Sequence, residues 1–162
     1  MPLLHNWSIA ALPLAMLALA GPVEAQVADP LFFEGDMVRG AAVPSGAPCV
    51  LTSQFKRQEQ VVFRIRVVDS AGKSLDDKGL KSLVVELSDG KKIPMRFHGH
   101  PPKDSTDFFW VGPWIIPEDY PTGSFAYKVT ATDLKGAAQT WQPFKVAPSQ
   151  FTVIAGDIAT AK

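Results

Sequence analysis

Two stretches of this chain alternate with period two, and no other feature of the sequence constrains the fold as tightly. Val61, Phe63, Ile65 and Val67 interleave with Val62, Arg64, Arg66 and Val68; Phe125, Tyr127, Val129 and Ala131 interleave with Ala126, Lys128, Thr130 and Thr132. Successive side chains on a strand point to opposite faces, so both stretches predict half-buried β-strands. Turn signals follow each of them, Asp69-Ser70-Ala71-Gly72 and Asp133-Leu134-Lys135-Gly136, and Asp89-Gly90 between Leu83–Leu87 and Lys92–Phe97 predicts a hairpin. Pro94 and Pro143 fall inside apolar runs; lacking an N–H to donate to a ladder, they predict edge strands or bulges. An aromatic strand at Asp107–Val111, interrupted by Gly112-Pro113 and resumed at Trp114–Ile116, and a short strand at Phe151–Ile154 complete the set, with a loop over 99–106. Seven or eight strands spaced by about 8–12 residues predict an all-β fold, an antiparallel sandwich or barrel.

The amino terminus reads as a secretory signal peptide. Ile9–Ala20 is an uncharged apolar run, Gly21-Pro22 breaks it, and Val23-Glu24-Ala25 offers small residues where a signal peptidase cuts, although the segment before the run has no Lys or Arg. The run is shorter than the about 20 residues a membrane-spanning helix needs. The domain reading is therefore a signal peptide over 1–25, an irregular Gly/Ala/Pro-rich segment over 26–48, a β-domain over 49–154 and a flexible tail over 155–162, with a periplasmic or secreted destination.

Charge narrows the partners. Sixteen basic and sixteen acidic residues balance, and no stretch concentrates Lys or Arg. A nucleic-acid partner, whose phosphates demand a positive surface, is disfavoured, as is an electrostatic membrane anchor. The single cysteine, Cys49, forbids an intrachain disulfide. Its simplest reading is a buried, inert thiol, with an intermolecular bridge or a metal ligand as alternatives.

Tyr120–Val146, with Gly123, Phe125, Tyr127, Val129, Asp133 and Gly136 in place, resembles the last two strands of bacterial immunoglobulin-like or fibronectin type III-like domains. The resemblance implies an immunoglobulin-like sandwich and no particular activity. Tyr127 stands where antibody-type domains carry the second core cysteine, and Phe125 where their corner tyrosine is usual. Packing would then hold the sheets without a covalent pin.

Candidate site residues are few. His98 and His100 share one face if the strand at Met95-Arg96-Phe97 continues, and two imidazoles at i and i+2 can chelate one metal. Met95 or Cys49 nearby would make the ligand set soft and suited to copper; no cofactor is required otherwise. Among the rings, alternation cannot bury Phe108, Phe109 and Trp110 on one face, so an outward Trp110 or Trp114 is the expected contact for a sugar or a protein partner. Signatures such as G-x-S-x-G, H-E-x-x-H, a phosphate loop or C-x-x-C-H do not occur. The resulting expectation is a non-enzymatic accessory module that binds a protein partner in the cell envelope; a copper or redox accessory using His98 and His100, and carbohydrate binding through exposed Trp, are the alternatives.

Overall fold

Period two in the sequence becomes period two in burial. Gln60–Val68 buries Val61, Phe63, Ile65 and Val67 and turns Val62, Arg64 and Arg66 the other way. The computed structural model describes residues 29–42 and 49–155. The expected signal peptide over 1–25 and the tail beyond Ala155 lie outside the described residues, as do 26–28 and 43–48 of the segment read as irregular.

Among the described residues eleven strands follow in chain order: β1 (Phe32–Arg39), β2 (Gln54–Lys56), β3 (Gln60–Val68), β4 (Leu80–Leu87), β5 (Lys92–Pro94), β6 (Arg96–His100), β7 (Asp107–Ile115), β8 (Gly123–Phe125), β9 (Tyr127–Asp133), β10 (Ala138–Trp141) and β11 (Phe151–Ile154). They form three mostly antiparallel sheets, ordered β1-β3-β7-β6, β10-β9-β4-β5 and β2-β11-β8. Among the described residues the exception to antiparallel pairing is β11 with β2, which run parallel. Among the described residues no helix is long and apolar enough to cross a membrane.

The inward residues of the three sheets share one core. Phe63 of β3 meets Tyr127 of β9 edge-on with ring centroids 5.3 Å apart. Phe33 of β1 stacks on Trp141 of β10 at 6.2 Å. At one end Phe151 of the small sheet gathers the rings of Phe55, Phe63, Trp114 and Phe125 around it. A fully buried Phe is worth about 1.5–3 kcal/mol over an exposed one, so these rings supply a large share of the driving force.

The turns form as their residues dictate. Asp69 Oδ1 accepts from the N–H groups of Ala71 and Lys73 at 3.0 and 2.9 Å, and Asp133 Oδ1 accepts from Lys135 and Ala137 at 2.8 Å each. Asp89 Oδ1 accepts from Lys91 N–H at 3.0 Å, beside Gly90 at φ 89°. An aspartate carboxylate thus satisfies the turn amides while glycine takes the left-handed conformation that a side chain would resist.

Four features differ from the sequence expectation. The segment read as irregular contains β1, which pairs with β3 along its whole length. The run Lys92–Phe97 is two strands rather than one, because at Met95 the chain leaves β5, at the edge of one sheet, for β6, at the edge of another. The run from Phe125 likewise divides at Ala126 between β8 and β9. Those divisions, together with β1 and β2, raise the count from seven or eight to eleven.

Candidate functional site

The outer faces of the two large sheets differ in character. That of β10-β9-β4-β5 is a solvated polar surface, with Glu86 paired to Lys128 and Lys92, and Thr130 bonded to Thr140. On β1-β3-β7-β6, Arg64 donates to both oxygens of Asp36 at 2.7 and 2.6 Å, and Arg66 reaches Asp107 at 2.6 Å. The guanidinium of Arg64 also lies 5.7 Å from the centre of the Phe109 ring. Its hydrogen bond to Asp36 raises the Arg64 pKa, keeping it charged.

A concave feature lies between these faces, where edge strand β1 comes beside edge strand β10. A groove of about 510 Å³ runs there, walled by Met37, Leu51, Tyr127, Trp141, Pro143 and Phe144. Phe144 is 83% exposed and Leu51 67%, a costly display of apolar surface unless something covers it. Gly35 lies beneath the Trp141 ring, and a Cβ there would collide with the Ile65 side chain of the paired strand while only touching the indole, at 3.5 Å. Among the described residues Asp36 is the sole charged side chain in the lining, and Arg64 neutralises it. Tyr127 is almost wholly buried, and its hydroxyl has no hydrogen-bond partner among the described residues. Burial first, and the Asp36 charge second, push its pKa up to about 12, so the floor of the groove is a neutral phenol.

The backbone of β1 adds a second kind of partner group. Arg39 N–H donates to Val50 C=O at 3.0 Å, Cys49 N–H to Arg39 C=O at 2.8 Å, and Thr52 N–H to Met37 C=O at 3.2 Å. Residues 49–52 therefore already lie on the outer edge of β1 as an added strand, then depart toward β2. Alternation in the ladder turns the main-chain groups of Gly35 and Phe33 to that same edge. Among the described residues these groups have no backbone partner. Farther along, Gln139 of β10 accepts from Leu31 N–H at 3.0 Å and donates to Asp29 C=O at 2.7 Å, tying the approach to β1 against the second sheet.

The residues singled out from sequence fall elsewhere. Trp110 does not face outward: it is 3% exposed, and its indole N–H donates to Leu75 C=O at 2.9 Å. The two neighbours that do face out are Phe109 and Val111, because the strand's phase is the reverse of the one expected. Trp114 is half-buried, wedged edge-on against Tyr120 at 4.9 Å with Lys91 Nζ 5.3 Å from its ring centre. Neither offers a free ring to a sugar. Met95 is buried in the core, its side chain beside Gly112. His98 and His100 are exposed on one face of β6. Cys49 is exposed rather than buried, in a left-handed conformation at φ 59°. It lines a small hollow of about 150 Å³ together with His100, Arg64 and Phe109. Among the described residues no three of His, Cys, Asp and Glu gather to hold a metal ion.

The groove residue that sequence reasoning passed over is Trp141. Its signal was present, an aromatic at the end of a strand followed by Pro143 and Phe144, but only the packing of β1 beside β10, in another sheet, brings the two edges together. Comparison with known proteins returns no matching family model, no matching curated protein and no matching solved structure.

Proposed function

We propose that this chain is an exported, non-enzymatic binding module of immunoglobulin-like sandwich architecture that captures an extended segment of a protein partner in the cell envelope. The observation that carries the reading is the neutral, aromatic groove beside an edge strand whose main-chain groups at Phe33 and Gly35 stay unpaired among the described residues. Strand addition to a sheet edge supplies affinity through main-chain hydrogen bonds and specificity through pockets for alternate side chains. Residues 49–52 pair with this same edge, which supports its competence to accept another segment. A neutral lining with its one carboxylate already paired favours an uncharged occupant carrying a large apolar side chain.

The sandwich reading draws on strand order. An immunoglobulin-type domain places strands A, B, E and D in one sheet and C, F and G in the other. The orders β1-β3-β7-β6 and β4-β9-β10 fit that scheme, with β5 as an added strand beside β4. Phe63 and Tyr127 then occupy the places of the two core cysteines. Export rests on the run Ile9–Ala20 and the site ending at Ala25. Mass spectrometry of the protein from its native envelope should find Gln26 as the first residue, and an intact Met1 would refute it.

The binding reading is tested by panning a random peptide-display library against the immobilised chain. Selected peptides should be neutral, with large apolar residues at alternate positions, and should shift the amide signals of Phe33 and Gly35. Phe144→Ser, at an exposed position where folding is untouched, and Trp141→Ala should each weaken the selected peptides by about tenfold or more, the scale of an aromatic anchor. Equal binding by both variants would refute the groove.

A further inference from the structure

A second site lies on the far edge of the same sheet, and its case is independent of the groove. We propose that His98 and His100 form a two-nitrogen chelate for a divalent transition-metal ion, with copper(II) the preferred ion.

The geometry begins with β6. It is an edge strand, so one of its sides has no neighbour in the sheet. Its exposure alternates, with Arg96, His98 and His100 outward and Phe97 and Gly99 inward. The two histidines are i and i+2 in an extended strand, so their Cα atoms are about 7 Å apart. Metal–imidazole bonds of about 2.0–2.1 Å let the two rings converge on one ion between them. Neither imidazole makes a hydrogen bond to a described residue, so none of their ring nitrogens is engaged there.

The inward side explains why the pair stays open. A Cβ at Gly99 would collide with Ser105, whose hydroxyl donates to Pro101 C=O at 2.7 Å. Thr106 N–H donates to His100 C=O at 3.1 Å. The 101–106 loop therefore folds under the strand rather than over the histidines, and it fixes the backbone that presents them. The His100 ring lies 6.0 Å from that of Phe109, which limits its swing.

Nearby groups set the character of the site. Asp107 lies across the ladder from His100, but its Oδ1 is taken by Arg66 and by Phe108 N–H. Met95 is in the core and contributes no sulfur. The chelate therefore has two borderline nitrogen donors; Cys49 lines one hollow with His100, but no three of His, Cys, Asp and Glu gather among the described residues, so the other coordination positions are left to water or a small exogenous ligand. Such a set follows the Irving–Williams order, in which copper(II) outcompetes zinc, and gives no preference for copper(I). This departs from the softer set expected from sequence, in which Met95 or Cys49 joins the two histidines: Met95 lies in the core, and no three of His, Cys, Asp and Glu gather among the described residues.

The test titrates the full chain with copper(II) alone, in a Cys49→Ser background that removes the oxidisable thiol, and reads calorimetry and electron paramagnetic resonance together. One ion should bind, with hyperfine structure from two nitrogens. His98→Ala and His100→Ala should each weaken binding by about tenfold or more, as one arm of a chelate is lost, and zinc should bind more weakly than copper. Both variants lie on the surface and should remain folded. His5→Ala should leave the affinity unchanged. Parental affinity in either β6 variant, loss of binding in His5→Ala, or zinc binding tighter than copper would each overturn the proposal.

Discussion

Raising the pH should weaken this fold through Tyr127, and the size of the effect follows from where that phenol sits. Its ordinary value of 10.0 is pushed up to about 12 by burial, with the Asp36 carboxylate adding to the shift. The folded state thus holds the proton more tightly than the unfolded chain does. The stabilisation from this group is complete below pH 10 and drains away as the pH climbs from 10 to about 12. At about 1.36 kcal/mol for each unit, two units amount to about 3 kcal/mol. Tyr120 shifts in the same direction, through burial and its bond to Asp89, so the clean measurement is a difference. Tyr127→Phe keeps the ring against Phe63 and Trp141 and removes only the ionisable hydroxyl. Urea unfolding of both proteins from about pH 8 to about pH 12 should show the parent losing about 3 kcal/mol more than the variant. The chain has two tyrosines, so phenolate absorbance in the variant reports Tyr120 alone and fixes the assignment. Parallel stability curves would refute the reasoning, because a hydroxyl free to ionise at pH 10 would not be buried as described.

Trp110→Phe should lower stability by about 2 kcal/mol, from about 1 for the bond to Leu75 and about 1 for lost packing. With a urea slope near 2 kcal/mol per molar, the midpoint should fall by about 1 M with the slope unchanged. Phe63→Ala opens the centre of the core and should cost about 3–5 kcal/mol, read in the same assay. Asp36→Asn removes the charge that adds to burial in raising Tyr127, so its phenolate should appear at lower pH in a spectrophotometric titration. Gly99→Ala forces its new methyl onto Ser105 and Phe108; the amide signals of 101–106 should move in a nuclear magnetic resonance spectrum while those of β9 stay in place.

The legibility of this chain followed the contrast between faces. In β3 the inward residues are aliphatic or aromatic and two outward ones are arginine, so the phase could be read directly. In β7 both faces are apolar: Phe109 and Val111 look out, Trp110 and Gly112 look in. Alternation there established a strand but not which side was wet, which is why Trp110 was assigned to the wrong face. β1 was hidden by Gly35, which interrupts an otherwise alternating set of Phe33, Glu34, Asp36 and Met37. Its glycine makes sense only with the Ile65 side chain of β3 packed against it, a contact between residues 30 apart in sequence. Pro94 correctly marked an edge. That the next residue carries the chain into a different sheet depends on β7, which no local pattern announces. The shared face of His98 and His100 was readable because it needs only the strand itself. The groove was not, since it is made by two edges that meet only after folding.

The edge-on contact of Phe63 with Tyr127 has a chemical consequence. Sheets joined by rings rather than by a cystine respond only weakly to the redox state of their surroundings. Dithiothreitol, which melts small domains whose halves depend on a sulfur–sulfur bond, should leave the midpoint of this one unmoved. The molecule can therefore reach its native form without an oxidase, in a reducing compartment or an oxidising one, and its lone thiol remains free for chemistry unrelated to holding the fold.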